Sequence, residues 1–151
     1  MGVGSSGKTT RWGVKNYINL INYLNSKGDY YFYLLCGRNE KNISEEIYSG
    51  VSKKNCLQLY DMSIKNLIPI FAAVDMYVGN DSFGHHITSQ MKIPSIVIIL
   101  DTPKAYTDYS VNQYRILPDG ILIDEIGHDS AFNPNSVSVE KVIKKIFELK
   151  N

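Results

Sequence analysis

The chain has 151 residues, of which 44% are hydrophobic and 21% charged, the profile of one folded domain rather than a disordered polypeptide. Its 16 basic and 15 acidic residues leave a net charge of +1, so nothing pulls the whole molecule toward nucleic acid or an anionic membrane. The two cysteines, Cys36 and Cys56, form no CxxC pair, which argues against a zinc cluster or a disulfide scaffold.

Read in chain order, helix-like and strand-like segments alternate. Residues 12–25 carry Val14, Tyr17, Ile18, Ile21 and Leu24 at helical spacing, and Lys27-Gly28 ends the pattern. Residues 30–35 form an aromatic and aliphatic run expected to be a buried strand. A helix is expected over 39–48 and a weaker strand over 55–59. Ser63 reads as the N-cap of a helix reaching about Ala73, with Pro69 awkwardly inside it. A short strand over 76–78 leads into a helix over 83–91. Residues 94–100 contain Ser-Ile-Val-Ile-Ile-Leu, the clearest strand in the chain. A polar, tyrosine-rich loop covers 101–113, a last strand is expected over 121–123, and a terminal helix over 138–149. Lys141, Lys144, Lys145 and Lys150 read as a solvated face of that helix.

Short apolar strands separated by helices imply an α/β, Rossmann-like parallel sheet flanked by helices. Ligands of such sheets bind at the carboxyl ends of the strands, so the loops after Leu35, Leu59, Val78 and Leu100 are the places for chemistry. The apolar run 96–100 is far too short to span a bilayer, and the first eight residues hold no apolar stretch of signal-peptide type. A cytoplasmic setting is the expectation.

Gly2 to Thr9 spells GxxxxGK[ST] letter by letter, the pattern of a phosphate-cradling loop in nucleotide hydrolases. That pattern needs a strand before it and a helix directly after it. No strand is visible ahead of Gly2, and Trp12-Gly13 delays the helix. A P-loop nucleotide hydrolase or kinase therefore stands as an alternative. A milder reading needs no particular fold: Ser5, Ser6, Lys8, Thr9, Thr10 and Arg11 offer hydroxyls, backbone donors and cations just before a helix, an anion site.

Gly79-Asn80-Asp81-Ser82-Phe83-Gly84-His85-His86 follows a strand and opens a helix. Asp81 and Ser82 are good helix caps, and a helix N-terminus also favours a diphosphate. His86 sits in the first turns, where its ring could donate to a phosphate oxygen. Adjacent helical residues point about 100° apart, so His85 and His86 are expected to be poor joint metal ligands, and no metal is expected.

This segment, continued by Lys92-Ile93-Pro94-Ser95-Ile96-Val97, resembles the "Asn-Asp-(Thr/Ser)-Gly-x-x-His … Pro-x-(Val/Ile)" signature of the heptosyltransferase-like glycosyltransferases, family 9. Thr9-Thr10-Arg11-Trp12 is similar to that family's basic-Trp segment, and Cys36-Gly37-Arg38-Asn39-Glu40 to its Gly-x-x-Glu turn. Met62-Ser63-Ile64 and the following Phe71-Ala72-Ala73-Val74-Asp75 resemble its next loop and helix end. Phe83 stands where the family has Gly. Leu100-Asp101-Thr102-Pro103 departs from the family's Gly-Pro-Thr-Asp turn, and Tyr106, Tyr109 and Tyr114 have no counterpart in it.

The resemblance implies the C-terminal, donor-binding half of a two-domain GT-B enzyme that inverts the anomeric centre. On this reading residues 1–151 are one domain, a fragment without the N-terminal acceptor domain and without its own first strand. Lys8, Thr9, Thr10 and Arg11 would hold the donor phosphates. Glu40 would sit near the ribose, and Met62 near the base. Asp81, Ser82 and His86 would line the diphosphate and sugar, with Gly84 supplying the close backbone approach that Phe83 denies. The donor implied is a nucleotide-diphosphate sugar, typically an ADP-sugar, used in lipopolysaccharide core or related surface-glycan assembly. The acceptor, a glycolipid or oligosaccharide, and the general base would belong to the other domain. No cofactor, no nucleic acid and at most peripheral membrane contact are implied. A non-catalytic module that binds a sugar nucleotide is the remaining alternative.

Overall fold

The computed structural model describes residues 1–150. Helix α1 spans Val14–Asn25, β1 Phe32–Leu34, α2 Lys41–Ser49, β2 Cys56–Gln58, α3 Ile64–Ala73 and β3 Tyr77–Asn80. Then follow α4 Phe83–Gln90, β4 Ser95–Ile98, β5 Gln113–Ile116 and α5 Val139–Lys150. All strand pairings are parallel: β1 with β2, β3 with β4, and β4 with β5.

The N-terminal residues join these pairs into one sheet. Gly2 bridges Leu35 on one side and Gly79 on the other, both in parallel. Gly2 N–H donates to Val78 O and Gly2 O accepts from Asn80 N–H, each at 2.9 Å. Met1 O accepts from Leu35 N–H at 2.8 Å, and Val3 N–H donates to Leu35 O at 2.9 Å. The spatial order is β2, β1, the N-terminal segment, β3, β4, β5. Numbered by sequence this is 3-2-1-4-5-6, the doubly wound order whose switch point lies between its first and fourth strands. The strand that the sequence does not reveal is thus Met1-Gly2-Val3 itself. Its glycine-rich spelling has a packing cause. A Cβ on Gly2 would fall inside the Tyr77 phenol, and one on Gly79 would lie 2.4 Å from Gly2 O.

Helices cover both faces. Tyr17, Leu20, Ile21 and Leu24 of α1, Ile47 of α2, and Val142 and Ile146 of α5 pack on Val3, Leu34, Val78, Ile96 and Ile98. Leu67 and Phe71 of α3, with Ile87 of α4, cover Leu35, Leu59 and Tyr77 on the other face. The strand 95–98 is buried at every position, which explains its unbroken apolar reading.

Two expectations fail for physical reasons. Residues 121–123 are not a strand; Ile121 and Ile123 pack instead against Val97, Ile99 and Ile126 beside a 3₁₀ turn at Ile123–Glu125. The sheet edge is β5, whose half-exposed Gln-Tyr-Arg-Ile carries no apolar run. Trp12 is also outside the first helix. Gly13, at φ 95°, breaks the backbone there, and the fully buried indole donates to Val137 O at 2.7 Å.

Candidate functional site

The carboxyl ends of the N-terminal segment, β1, β2, β3 and β4 open on one end of the sheet, and most of the expected site residues gather there. The fastening between them is Asn80, fully buried at the end of β3. Its Oδ1 accepts from Trp12 N–H at 2.9 Å and from the Tyr17 hydroxyl at 3.0 Å. Its Nδ2 donates to Val3 O at 3.0 Å. Asn80 therefore sets the height of the loop 5–11 against the start of α4, across the switch point.

Glu40 closes the other side of that loop. Its Oε1 accepts from Ser5 N–H at 2.7 Å and from Arg11 Nη2 at 2.8 Å, while Oε2 accepts from Gly37 N–H at 3.0 Å. Arg11 also donates to Ser5 O at 3.0 Å. The pair expected to meet ribose and phosphate is thus first a clamp that shapes the loop. The Thr9 and Thr10 hydroxyls both donate to Asp101 Oδ2, at 2.5 and 3.1 Å. Their side-chain protons are spent on a buried carboxylate, so an incoming anion would meet backbone N–H groups or displace Asp101. Lys8 is exposed and, among the described residues, pairs with no acceptor. Met62, in the loop after β2, is exposed.

The P-loop alternative fails on this geometry. The first half of its letters lies in the sheet. The N–H groups of Gly2, Val3 and Gly4 donate to Val78 O and Leu35 O, and Ser5 N–H goes to Glu40. A phosphate-cradling loop also runs from its Lys-Thr straight into a helix, whereas here Gly13 breaks the backbone and α1 begins only at Val14.

At the start of α4, Ser82 is the N-cap and its Oγ meets the Tyr77 hydroxyl at 3.2 Å. Tyr77 in turn donates to Asn80 O at 2.8 Å. His85 is fully buried, with Nδ1 3.0 Å from Asp81 Oδ1 and 3.2 Å from Ser82 N–H. Burial alone would push the Asp81 carboxyl up, but hydrogen bonds from His85 and Thr102 outweigh it and hold it below the usual value of 3.8. His86 is half exposed, with Nε2 3.6 Å from Asp81 Oδ1 and Nδ1 against the Tyr109 hydroxyl. Burial, then the neighbouring His85, lower its pKa from 6.5, which favours the neutral ring.

The sequence expects the two histidines to diverge. Their ring centroids are 3.8 Å apart, and with Asp81 they bring three metal-type ligand atoms within 4.8 Å of one another. These are the residues that could hold a divalent ion. Gly84 also differs from expectation. Its missing Cβ faces the core, where it would meet Leu35 at 2.5 Å and Tyr77 at 2.6 Å. Glycine is required there for packing beneath the helix, so the close backbone approach assigned to it has no basis in its side-chain direction. Sequence reasoning passed over Asp101 as a ligand of the threonines, Tyr109 as a partner of His86, and Asn80 as the fastening. Their contacts span 23 to 92 residues, and no local signal reports them.

A cavity of about 680 Å³ lies elsewhere, lined by Tyr31, Met76 and Pro94, which precede β1, β3 and β4, and by Phe71 of α3. Its lining is mainly apolar and aromatic, and the site is assigned on chemistry rather than volume.

Fold and geometry together define a doubly wound α/β domain with a cluster of polar side chains at its switch point. The sequence profile of glycosyltransferase family 9 (heptosyltransferase) matches residues 3–119, and the chain belongs to this family. It is 28% identical over 102 residues to lipopolysaccharide heptosyltransferase 1 of Campylobacter coli, across 66% of this chain and 30% of that protein. The structure resembles the E. coli ADP-heptose lipopolysaccharide heptosyltransferase II (TM-score 0.78, 19% identity, 97% of this chain and 44% of that one). It also resembles E. coli heptosyltransferase WaaC with ADP (0.78, 17%, 97% and 42%) and a family 9 glycosyl transferase from Veillonella parvula (0.79, 16%, 99% and 45%). The chain spans less than half the length of these relatives.

Proposed function

We propose that this chain is the donor-binding half of an inverting glycosyltransferase, taking a nucleotide-diphosphate sugar, with an ADP-sugar favoured. The observation that carries this reading is the convergence of the loop 5–11, Glu40 and the segment Asp81–His86 on the switch point of a family 9 fold. The diphosphate lies against the start of α4, where the helix dipole and free backbone donors favour negative charge. Lys8 and the backbone of Thr9 and Thr10 face it from the other side, and the half-exposed His86 borders the sugar. Glu40 and Arg11 shape the loop, Ser82 caps the helix, and Met62 borders the base. That E. coli WaaC is a structure with ADP supports the choice of nucleotide.

The departing diphosphate is stabilised by dipole and cations, and the general base for the acceptor hydroxyl comes from a second domain. The acceptor is a lipopolysaccharide-core or related glycolipid or oligosaccharide, and the setting is the cytoplasm, with peripheral contact to the membrane at most. No helix among the described residues is long and apolar enough to cross a membrane. The test is calorimetric titration of the chain with ADP, UDP and GDP, with and without Mg²⁺. Metal-independent binding of ADP, weakened at least tenfold by Asp81→Ala or His86→Ala, is the expected result. Absence of binding to any nucleoside diphosphate overturns the reading.

A further inference from the structure

Tyr109 belongs to the loop between β4 and β5, and the structure fixes it on both sides. Before it, Arg115 donates to Thr107 Oγ1 at 2.8 Å and pairs with Asp108 at 2.5 Å. Thr107 is buried. After it, the Ser110 hydroxyl reaches Ser89 O on α4 at 3.4 Å and accepts from Asn112 N–H at 3.2 Å. The loop so anchored lays the Tyr109 ring beside His86, with centroids 5.7 Å apart and planes inclined by 18°, and brings the phenol oxygen to His86 Nδ1.

We propose that Tyr109 is a positioning residue of the donor site: its phenol fixes the His86 imidazole as the tautomer with its proton on Nε2, facing the space beside Asp81. The inference rests on the donor-site reading above. A neutral imidazole has one donor and one acceptor nitrogen, and a phenol can meet either; the Asp81 carboxyl oxygen beside Nε2 favours a proton on that nitrogen, which leaves Nδ1 to accept from the Tyr109 hydroxyl. With Nδ1 accepting from Tyr109, the remaining proton must lie on Nε2. Nε2 is 3.6 Å from Asp81 Oδ1, beyond hydrogen-bond length, so this N–H is aimed but not spent. An oxygen of the donor arriving there meets a hydrogen rather than a lone pair. The His85 ring, its centroid 3.8 Å away and its plane inclined by 40°, packs against His86 while Tyr109 settles the proton.

The test uses the whole chain, ¹⁵N-labelled, and the variant Tyr109→Phe, which keeps the ring and loses the hydroxyl. There are three histidines, and His86→Gln assigns the resonances of residue 86. The wild-type chain should show His86 as a single Nε2–H tautomer near neutral pH, and Tyr109→Phe should show the two tautomers averaged. ADP affinity should fall about three- to tenfold in Tyr109→Phe, the worth of one hydrogen bond. A variant that keeps both the tautomer and the affinity overturns the proposal. Should the wild-type chain bind no ADP, the donor reading fails, while the nitrogen shifts still decide the role of Tyr109: averaged in the variant they uphold it, unchanged they overturn it.

Discussion

Asn80 carries more structural consequence than any other polar residue of the site. Its amide satisfies Trp12 N–H, the Tyr17 hydroxyl and Val3 O, all buried. Asn80→Ala would strand these groups away from water, and each unsatisfied partner costs about 1–3 kcal/mol. A loss of roughly 3–5 kcal/mol is expected from urea unfolding, against about 1 kcal/mol for Tyr17→Phe, which removes one donor. The titrating neighbours give a second expectation. Asp81 and His86 both hold pKa values below their usual 3.8 and 6.5. As pH falls, the unfolded chain therefore takes up these protons before the folded one does. Their stabilisation is complete above 6.5 for His86 and above 3.8 for Asp81, and is lost as pH falls through the lower folded values. Unfolding free energy should thus fall on acidification below 6.5, with a shallower slope in His86→Gln.

At the scale of elements, what the sequence shows follows burial. β4 is legible because both its faces are covered and every residue is apolar or small. β5 is illegible because an edge strand needs apolar residues on one side at most. The N-terminal segment is harder still: Gly2 and Gly4 have poor strand propensity, and together with Lys8 they imitate a phosphate loop. Close packing, not ligand binding, demands those glycines, since a Cβ on Gly4 would lie 2.3 Å from Glu40 Oε2. The Asp81–His86 part of the site was legible because it is contiguous in sequence, whereas the Thr9–Asp101 and Tyr17–Asn80 contacts are made only by the fold. Gly79 tests the packing account. A methyl group there would press on the Gly2 backbone, which cannot rotate away, so Gly79→Ala should cost about 3 kcal/mol in denaturant unfolding.

For the whole molecule, the switch-point order explains why a site of widely separated residues forms at all. Chain reversal between the N-terminal segment and β3 leaves a crevice at their carboxyl ends, and the loops on either side fall into it. In the donor-site proposal, phosphate binding thus comes from topology first and from residues such as His86 second. Loops such as that bearing Tyr109 can vary around the crevice without disturbing it.

The same topology makes one short stretch a keystone. β1 and β2 share no rung with β3, β4 and β5; only the first few residues span the gap. Release of this segment would divide the sheet rather than loosen one edge of it. Trimming four residues from the amino end would leave two small slabs with exposed inner margins, each a template for intermolecular pairing. The sheet therefore closes like a zip whose slider is Met1–Gly4.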